Sequence, residues 1–427
     1  MKINIDEMLN AREQRVINQR ALSNRFNSAV ISFTMNMAGE IKSFPLLRRA
    51  FLTGVSMIRT ALPNIIYSSV IHLETGDEGY FAVQGDPETI KAAMVKIEDS
   101  FQLGRLFDID VLNTAGEKMT REKPRRCLIC NEIASVCARS RNHGLNTIIS
   151  ASMEILYDYF SSTLAKCAYD ALICEVEATP KPGLVDRNNT GAHSDMGLPD
   201  FYASASSLFP HFKRMARFGI ENANADYKTL MLLLSEEGKR AERSMLNATG
   251  GVNTHRGAIF TIGLLLASFS KCFTTDRDDV LQIAANLAAE HFKTAVRNPN
   301  GSSVESDFGI SGIKSESVSG FPSVLFAFNK FKDYLTRGFS DNDAAVFTLL
   351  DLLPIVSDTN ILHRAGISGY KYMINEANKM LSLSKEDRFS AALSADADFI
   401  KRNLSPGGCA DILSAGIFLN YVSDLPH

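Results

Sequence analysis

The sequence predicts a multidomain protein, with an N-terminal α/β (α+β) domain over residues 1–152 and a mainly all-α domain over 153–427. Three observations carry this reading. β-branched and aromatic runs bounded by turn residues cluster early, at 30–35, 65–73, 80–83 and around 107–111. From Leu156 onward, apolar residues recur at helical spacing and extended runs are scarce. The charge also changes sign: residues to Ser150 carry 19 basic and 16 acidic side chains, and the remainder carries 26 and 32.

Composition excludes several classes. A chain of 427 residues with 45% hydrophobic and 22% charged content is globular. No run of about 18 uncharged apolar residues is present, so no membrane association is expected. The start, MKINIDEMLNAREQR, lacks the apolar core of a signal peptide, and a cytoplasmic location is expected. Seven cysteines in so long a chain suit a reducing compartment rather than a disulfide framework. The net charge of −3 argues against a nucleic-acid partner.

In the first domain, residues 6–28 are expected to form a helix with Leu9, Val16, Leu22 and Phe26 roughly on one face. Helices are expected at 45–62 and 87–99, between the strands. The segment LGRLFDIDVLN carries the chemistry. In a strand, Asp108 and Asp110 share one side, while Phe107, Ile109 and Val111 share the other. Two carboxylates about 6–7 Å apart suit a shared Mg²⁺ or other divalent metal that also holds phosphate oxygens. The alternative is a solvated strand face. Lys118, Arg121, Lys123, Arg125, Arg126, Arg139 and Arg141 then form a dense basic cluster, a dock for polyphosphate or an acidic partner. Cys127, Cys130, Cys137 and His143 have an order that suits zinc. Because the C-x2-C is expected within a helical run and no second knuckle follows, buried thiols are preferred and zinc is not expected.

AREQRV (11–16), ISFTMNMAGEIK (31–42), GRLFDIDV (104–111) and RCLICNEIASVCARSRNH (126–143) resemble the apo-citrate lyase phosphoribosyl-dephospho-CoA transferase family, also called holo-acyl-carrier-protein synthase. The resemblance spans nearly all of residues 1–150. It implies nucleotidyl-type transfer of a phosphoribosyl-dephospho-CoA group to a serine of the citrate lyase acyl carrier protein (the gamma subunit), with loss of pyrophosphate. It makes that carrier the expected partner of the basic cluster.

The second domain turns on EVEATPKPGLVDRNNTGAHSD (175–195), a polar segment between two apolar helical runs. Pro180 and Pro182 end the first run. Helices are expected at 201–218, 227–247, 257–273, 278–294, 322–337, 341–353, 368–381, 385–403 and 410–421. TGGVNTHRG (249–257) precedes one of them, where a helix N-terminus attracts phosphate or Asn253 simply caps. GISGIKSESVSGFP (309–322), SDTNILHRAG (357–366) and LSPGGCADIL (404–413) punctuate the rest. No dinucleotide or P-loop fingerprint is present, so any nucleotide site must be built from helix ends and loops.

These phrases together resemble the triphosphoribosyl-dephospho-CoA synthase family, over about 165–420. The resemblance implies condensation of ATP with 3′-dephospho-CoA and release of adenine. That chemistry needs a carboxylate at the attacking hydroxyl, cations and metal at the triphosphate, and a donor to adenine. Glu175 and Asp186 are the candidates for base or metal roles, with Asp358 and Asp411 as further metal ligands. Lys181, Arg187 and Arg364 are assigned to phosphate, and Asn253 and His255 to the nucleotide. His255 is assigned to the leaving adenine, and Gly407 and Gly408 to close backbone approach. The chain departs from the family pattern at 298–307 (NPNGSSVESD), at Lys314, where arginine is expected, and near Gly197, where SDMGLPDF lacks an expected acidic residue. The two resemblances together imply a fused enzyme that makes and attaches one prosthetic group. The alternatives are maturation of a malonate decarboxylase carrier, or a zinc- and nucleic-acid-binding protein.

Overall fold

The computed structural model describes residues 2–273, 276–294 and 312–425. The departing stretch 298–307 lies outside them. The described residues divide into two compact units, 2–159 and 160–425.

The first unit opens with α1 (Ile5–Phe26), begun by an Asn4–Glu7 capping box. Then follow β1 (Ala29–Met35), α2 (Pro45–Ala61), β2 (Ile65–Ile71), β3 (Glu78–Val83), α3 (Pro87–Ser100) and β4 (Phe107–Leu112). The strands form one antiparallel sheet in the order β2-β3-β1-β4. One face is apolar. Phe33 stacks on Phe51 of α2 with centroids 4.9 Å apart and meets Phe107 edge-on at 5.1 Å. A Cβ at Gly54 would overlap the Phe33 ring, so glycine sets how closely α2 approaches the sheet.

The expected apolar stripe of α1 packs only at its C-terminal end: Leu22 and Phe26 are half-buried, and Phe26 stacks on Tyr67 with centroids 5.0 Å apart. Leu9 and Val16 remain exposed, at 49% and 43%. The helix is also held through polar contacts: Arg15 to Glu78 at 2.9 Å, Asn18 to the Tyr80 hydroxyl at 3.4 Å, and Ser23 to the Thr114 carbonyl at 3.5 Å. A second correction concerns Cys127–Cys130. This segment is a hairpin turn, not helix: Cys127 N–H donates to Glu132 O and Ala134 N–H to Arg125 O, with Asn131 left-handed at φ 60°. Helix begins only at α4 (Ala134–Ser140).

A long helix, α5 (Leu145–Glu177), contains the division between the units. The second unit continues with α6 (Leu198–Glu221), α7 (Tyr227–Ala248), α8 (Arg256–Cys272) and α9 (Arg277–Thr294). Next come α10 (Ile313–Val318), α11 (Pro322–Thr336), α12 (Asp341–Leu352), α13 (Thr359–Leu381), α14 (Lys385–Lys401) and α15 (Gly407–Ser423). Side-chain caps at Asp226, Ser340, Asp358 and Ser384 fix where four of these begin. The helix expected from 368 is the second part of α13, which breaks at Gly366 (φ 64°); a separate helical stretch precedes the break.

α8 and α15 are buried along most of their length and pack against each other. Helices apolar on nearly every face belong in a core. Their polar N-terminal turns therefore reach the surface of the core together, and that is where the cavity lies.

Candidate functional site

The cavity of the second unit has a volume of about 1020 Å³. Its wall is made by the ends of α5, α8, α13 and α15 and by the loop after α5. Five carboxylates line it: Glu175, Asp195, Glu316, Asp358 and Asp411. Glu175 and Asp358 are nearly inaccessible to solvent, and Asp411 is partly buried.

Asp411 sits in the first turn of α15 and lies against the start of α8. A side chain at Gly257 would overlap its carboxylate. Burial first, then Glu175 and Asp358, push its carboxyl up to about 8. Asp358 caps α13: Oδ1 accepts the N–H of Asn360 at 2.9 Å and of Ile361 at 3.4 Å, and Oδ2 accepts Cys409 N–H at 3.2 Å from α15. Burial raises its carboxyl, and these backbone donors oppose the rise. Gly408 leaves room for that carboxylate, whose oxygens would stand 3.0–3.3 Å from an added Cβ. Glu175 is on α5 and not in the loop, one turn before the helix stops. Its Oε1 accepts from Lys181 Nζ at 2.5 Å, and Lys181 also donates to the Glu175 carbonyl at 2.7 Å. Burial raises the Glu175 carboxyl against the pull of Lys181.

His255 is buried at the entry to α8. Its Nδ1 shares a hydrogen bond with Ser204 Oγ at 2.7 Å, and Phe201 meets the ring edge-on at 5.0 Å. Its Nε2 is buried without a hydrogen-bond partner. Burial, with Lys181 nearby, holds the imidazole down to about 3, so it is neutral at physiological pH. Four lining residues in fact carry a buried polar atom without a partner: Thr254 Oγ1, His255 Nε2, Thr261 Oγ1 and Arg364 Nε. Buried polar groups are normally satisfied, so a wall holding four that are not is shaped for a polar ligand.

Two expected residues stand elsewhere. Asp186 does not line the cavity. Its Oδ2 accepts Lys181 N–H at 3.0 Å, and its Oδ1 accepts the N–H of Asn188 at 2.7 Å and Asn189 at 3.1 Å. It holds the loop's shape. Arg187 is exposed and pairs with Glu177 at 2.8 Å. Arg364, Asn253, Lys181, Gly407 and Gly408 do line the cavity. Arg364 is tied to the Ala192 carbonyl and to Asn403 Oδ1, and Asn253 Oδ1 accepts the Arg256 N–H at 3.1 Å. The sequence reading missed Gly257, Thr254, Thr261 and His193. Gly257 and Thr261 are four apart, on one helix face, and that spacing was a usable signal.

In the first unit, Asp108 and Asp110 do share a face, with Phe107, Ile109 and Val111 buried behind them. Register extends the acidic row. Thr34 of β1 pairs with Glu78 on one side and Asp108 on the other, and Ser32 pairs with Tyr80 and Asp110. Asp108 is raised by desolvation, then by Asp110. Asp110 is paired with Lys118 at 2.7 Å. Arg15, from α1, is paired with Glu78 at 2.8 Å. Part of the basic cluster is engaged: Arg121 with Asp99 at 2.5 Å and Arg125 with Glu98 at 3.3 Å. Lys123, Arg126, Arg139 and Arg141 are exposed.

Among the described residues, a group of three or more donors within 4.8 Å of one another forms at Cys127, Cys130, Cys137 and His143. The cavity carboxylates and the Asp108–Asp110 pair do not form one. Their all-oxygen donor sets fit a hard divalent ion whose shell phosphate oxygens complete.

Residues 3–159 match the CitX family, described as apo-citrate lyase phosphoribosyl-dephospho-CoA transferase. Residues 161–426 match the CitG family, described as ATP:dephospho-CoA triphosphoribosyl transferase. A protein named CitXG from Haemophilus influenzae is 31% identical over 98% of this chain and 96% of its own length. Another CitXG, from Leuconostoc mesenteroides, is 30% identical over 98% and 97%. The 2-(5''-triphosphoribosyl)-3'-dephosphocoenzyme-A synthase of Haemophilus ducreyi is 34% identical over 68% of this chain and 98% of that protein.

Proposed function

This chain belongs to the CitX and CitG families joined in tandem, and from that premise we propose how its residues divide the two activities. The chain makes and attaches the prosthetic group of citrate lyase. ATP and 3′-dephospho-CoA give 2′-(5″-triphosphoribosyl)-3′-dephospho-CoA and adenine. The product is then transferred to a serine of the citrate lyase acyl carrier protein, and pyrophosphate leaves.

We assign the first reaction to the cavity of residues 160–425. The observation that carries this is one cavity wall that holds four unpartnered polar atoms together with Glu175, Asp358 and Asp411. The dephospho-CoA 2′-hydroxyl attacks C1 of the ATP ribose, and the bond from that carbon to adenine breaks. Asp411, whose carboxyl titrates near the working pH, takes the hydroxyl proton. His255 stays neutral and donates a hydrogen bond from Nε2 to the departing adenine. The Ser204 hydroxyl, donating to Nδ1, selects that tautomer. The N-termini of α8, α13 and α15 converge here and favour the triphosphate. A divalent ion held by Glu175 and the phosphates would supply charge stabilisation. Asp358 positions the two helix ends and is not assigned to metal.

We assign the second reaction to the acidic row of the first unit. The carrier serine Oγ attacks the phosphorus next to the ribose, forming an O–P bond as the bond to pyrophosphate breaks. Asp108, with its raised carboxyl, accepts the serine proton. Asp110 and Glu78 are the companion carboxylates for metal, and Arg15 is set beside them for phosphate. The exposed Lys123, Arg126, Arg139 and Arg141 receive the acidic carrier, by charge. The chemistry draws on nucleotides of the cytoplasm, where we place the protein.

The test is to incubate pure protein with ATP, Mg²⁺ and dephospho-CoA, and then to add apo carrier protein. Adenine release followed by a carrier mass increase is expected. Release without any mass increase overturns the assignment of the first unit, and neither signal overturns both.

A further inference from the structure

Neither activity uses the cluster of Cys127, Cys130, Cys137 and His143. We propose that these four residues hold a structural zinc ion in the first unit.

The site is assembled by local structure. The hairpin of residues 125–134 turns sharply at Asn131, which brings Cys127 and Cys130 to one side. In this turn the Ile129 N–H lies 3.4 Å from Cys127 Sγ. Such a donor stabilises a thiolate, the form that binds metal. Cys137 comes from α4, which starts directly after the hairpin, and is 5% exposed. The helix closes at Arg141 in the left-handed region, and Asn142 N–H returns to Cys137 O, which folds His143 back toward the sulfurs.

Geometry then selects the ligand. The four donor atoms lie within 4.8 Å of one another. Cys130 and Cys137 sulfurs stand 3.8 Å apart. Two sulfurs each about 2.3 Å from one tetrahedral centre stand about 3.8 Å apart. That separation is well beyond the S–S bond length of about 2.05 Å, so the pair is not a disulfide. Independently, the His143 Nε2 is buried and has no hydrogen-bond partner. A buried imidazole nitrogen beside three thiols is what a fourth ligand looks like without its metal. Three thiolates and one imidazole match zinc rather than Mg²⁺. Four protein donors fill a tetrahedral shell and leave no open position, so the role is structural. Its consequence is to lock the hairpin to α4, and so to fix the spacing of the exposed Arg126, Arg139 and Arg141.

The test uses the untagged full-length protein expressed with zinc in the medium. Metal analysis after dialysis is expected to give one zinc per chain, released when the thiols are titrated with a mercurial. Co²⁺ substitution is expected to give thiolate charge-transfer bands and the intense visible bands of a tetrahedral centre. Cys137→Ser is expected to lower bound zinc at least tenfold, whereas His143→Cys retains it. Adenine release by the second unit, which has its own core, should persist in both variants and reports that they are folded. Less than a tenth of an equivalent of zinc in the wild type overturns the proposal, as does full zinc retention in Cys137→Ser. Neither result bears on the assignment of the two activities.

Discussion

The Asp411 carboxylate lies against the Cα of Gly257, so closely that a side chain at 257 would overlap it. Two core helices meet at this point, the acid in the first turn of one against the start of the other. Gly257→Ala is therefore expected to displace Asp411 while leaving helix content unchanged. Displacing a catalytic group by about 1 Å costs on the order of 100-fold in rate. Adenine release should fall by that order, and transfer of preformed precursor to the carrier should not change. Normal adenine release in Gly257→Ala would remove Asp411 from the reaction.

A second expectation concerns pH. Asp411 titrates near 8 when folded and near its ordinary carboxylate value when unfolded. The folded state thus holds this proton more tightly. The stabilising contribution is full below the ordinary value and is lost as pH rises through about 8. Asp411→Asn should flatten the fall of Tm between the ordinary carboxylate value and about pH 8. As general base, the wild-type carboxylate should give kcat/KM for adenine release a limb rising toward about pH 8. In Asp411→Asn that limb should vanish with a loss of about 10²- to 10⁴-fold.

His255 is held neutral, so it donates a hydrogen bond and does not titrate in the working range. His255→Ala should lower kcat for adenine release by about 10- to 100-fold, the scale of one lost transition-state hydrogen bond of about 1.5–3 kcal/mol. The pH profile should keep its shape. Ser204→Ala should give a smaller loss in the same direction, because Ser204 only orients the ring. A shift of the pH limb in His255→Ala would contradict this role.

Asp186 separates stability from chemistry. Its three backbone donors lose their acceptor in Asp186→Ala, leaving the buried Lys181 N–H unsatisfied at about 1–3 kcal/mol. Tm of the second unit should fall, and adenine release should decline through KM more than kcat. An unchanged Tm with abolished kcat would restore Asp186 to the chemistry.

In the first unit, Asp108→Ala should stop carrier modification from preformed precursor and leave adenine release intact. Glu78→Gln should weaken carrier modification by loosening Arg15, which it holds. Mass spectrometry of the carrier and chromatography of adenine read the two activities separately.

Much of the local architecture was legible. Cap residues such as Asp226, Ser340 and Ser384 begin helices where their side chains accept the third N–H. The alternation through Phe107–Leu112 placed Asp108 and Asp110 on one face. The same alternation could not show that Thr34 seats Glu78 beside Asp108, since strand order β2-β3-β1-β4 is not sequence order. Cys127 and Cys130 were misread because their apolar neighbours suit a helix, whereas the left-handed turn at Asn131 makes a hairpin.

The sequence by itself determined the two families, the run of helices and the loops in which cavity residues would be found, because periodicity, caps and motif wording are local. Only the tertiary structure decided which acids meet. Asp186 and Asp411 look alike as aspartates in Gly-rich loops, yet one is spent on its own backbone and the other lines the cavity with Glu175 and Asp358. Residues 175, 255, 358 and 411 come together because two helices apolar on nearly every face must share one core. Their N-terminal turns then have one place to go.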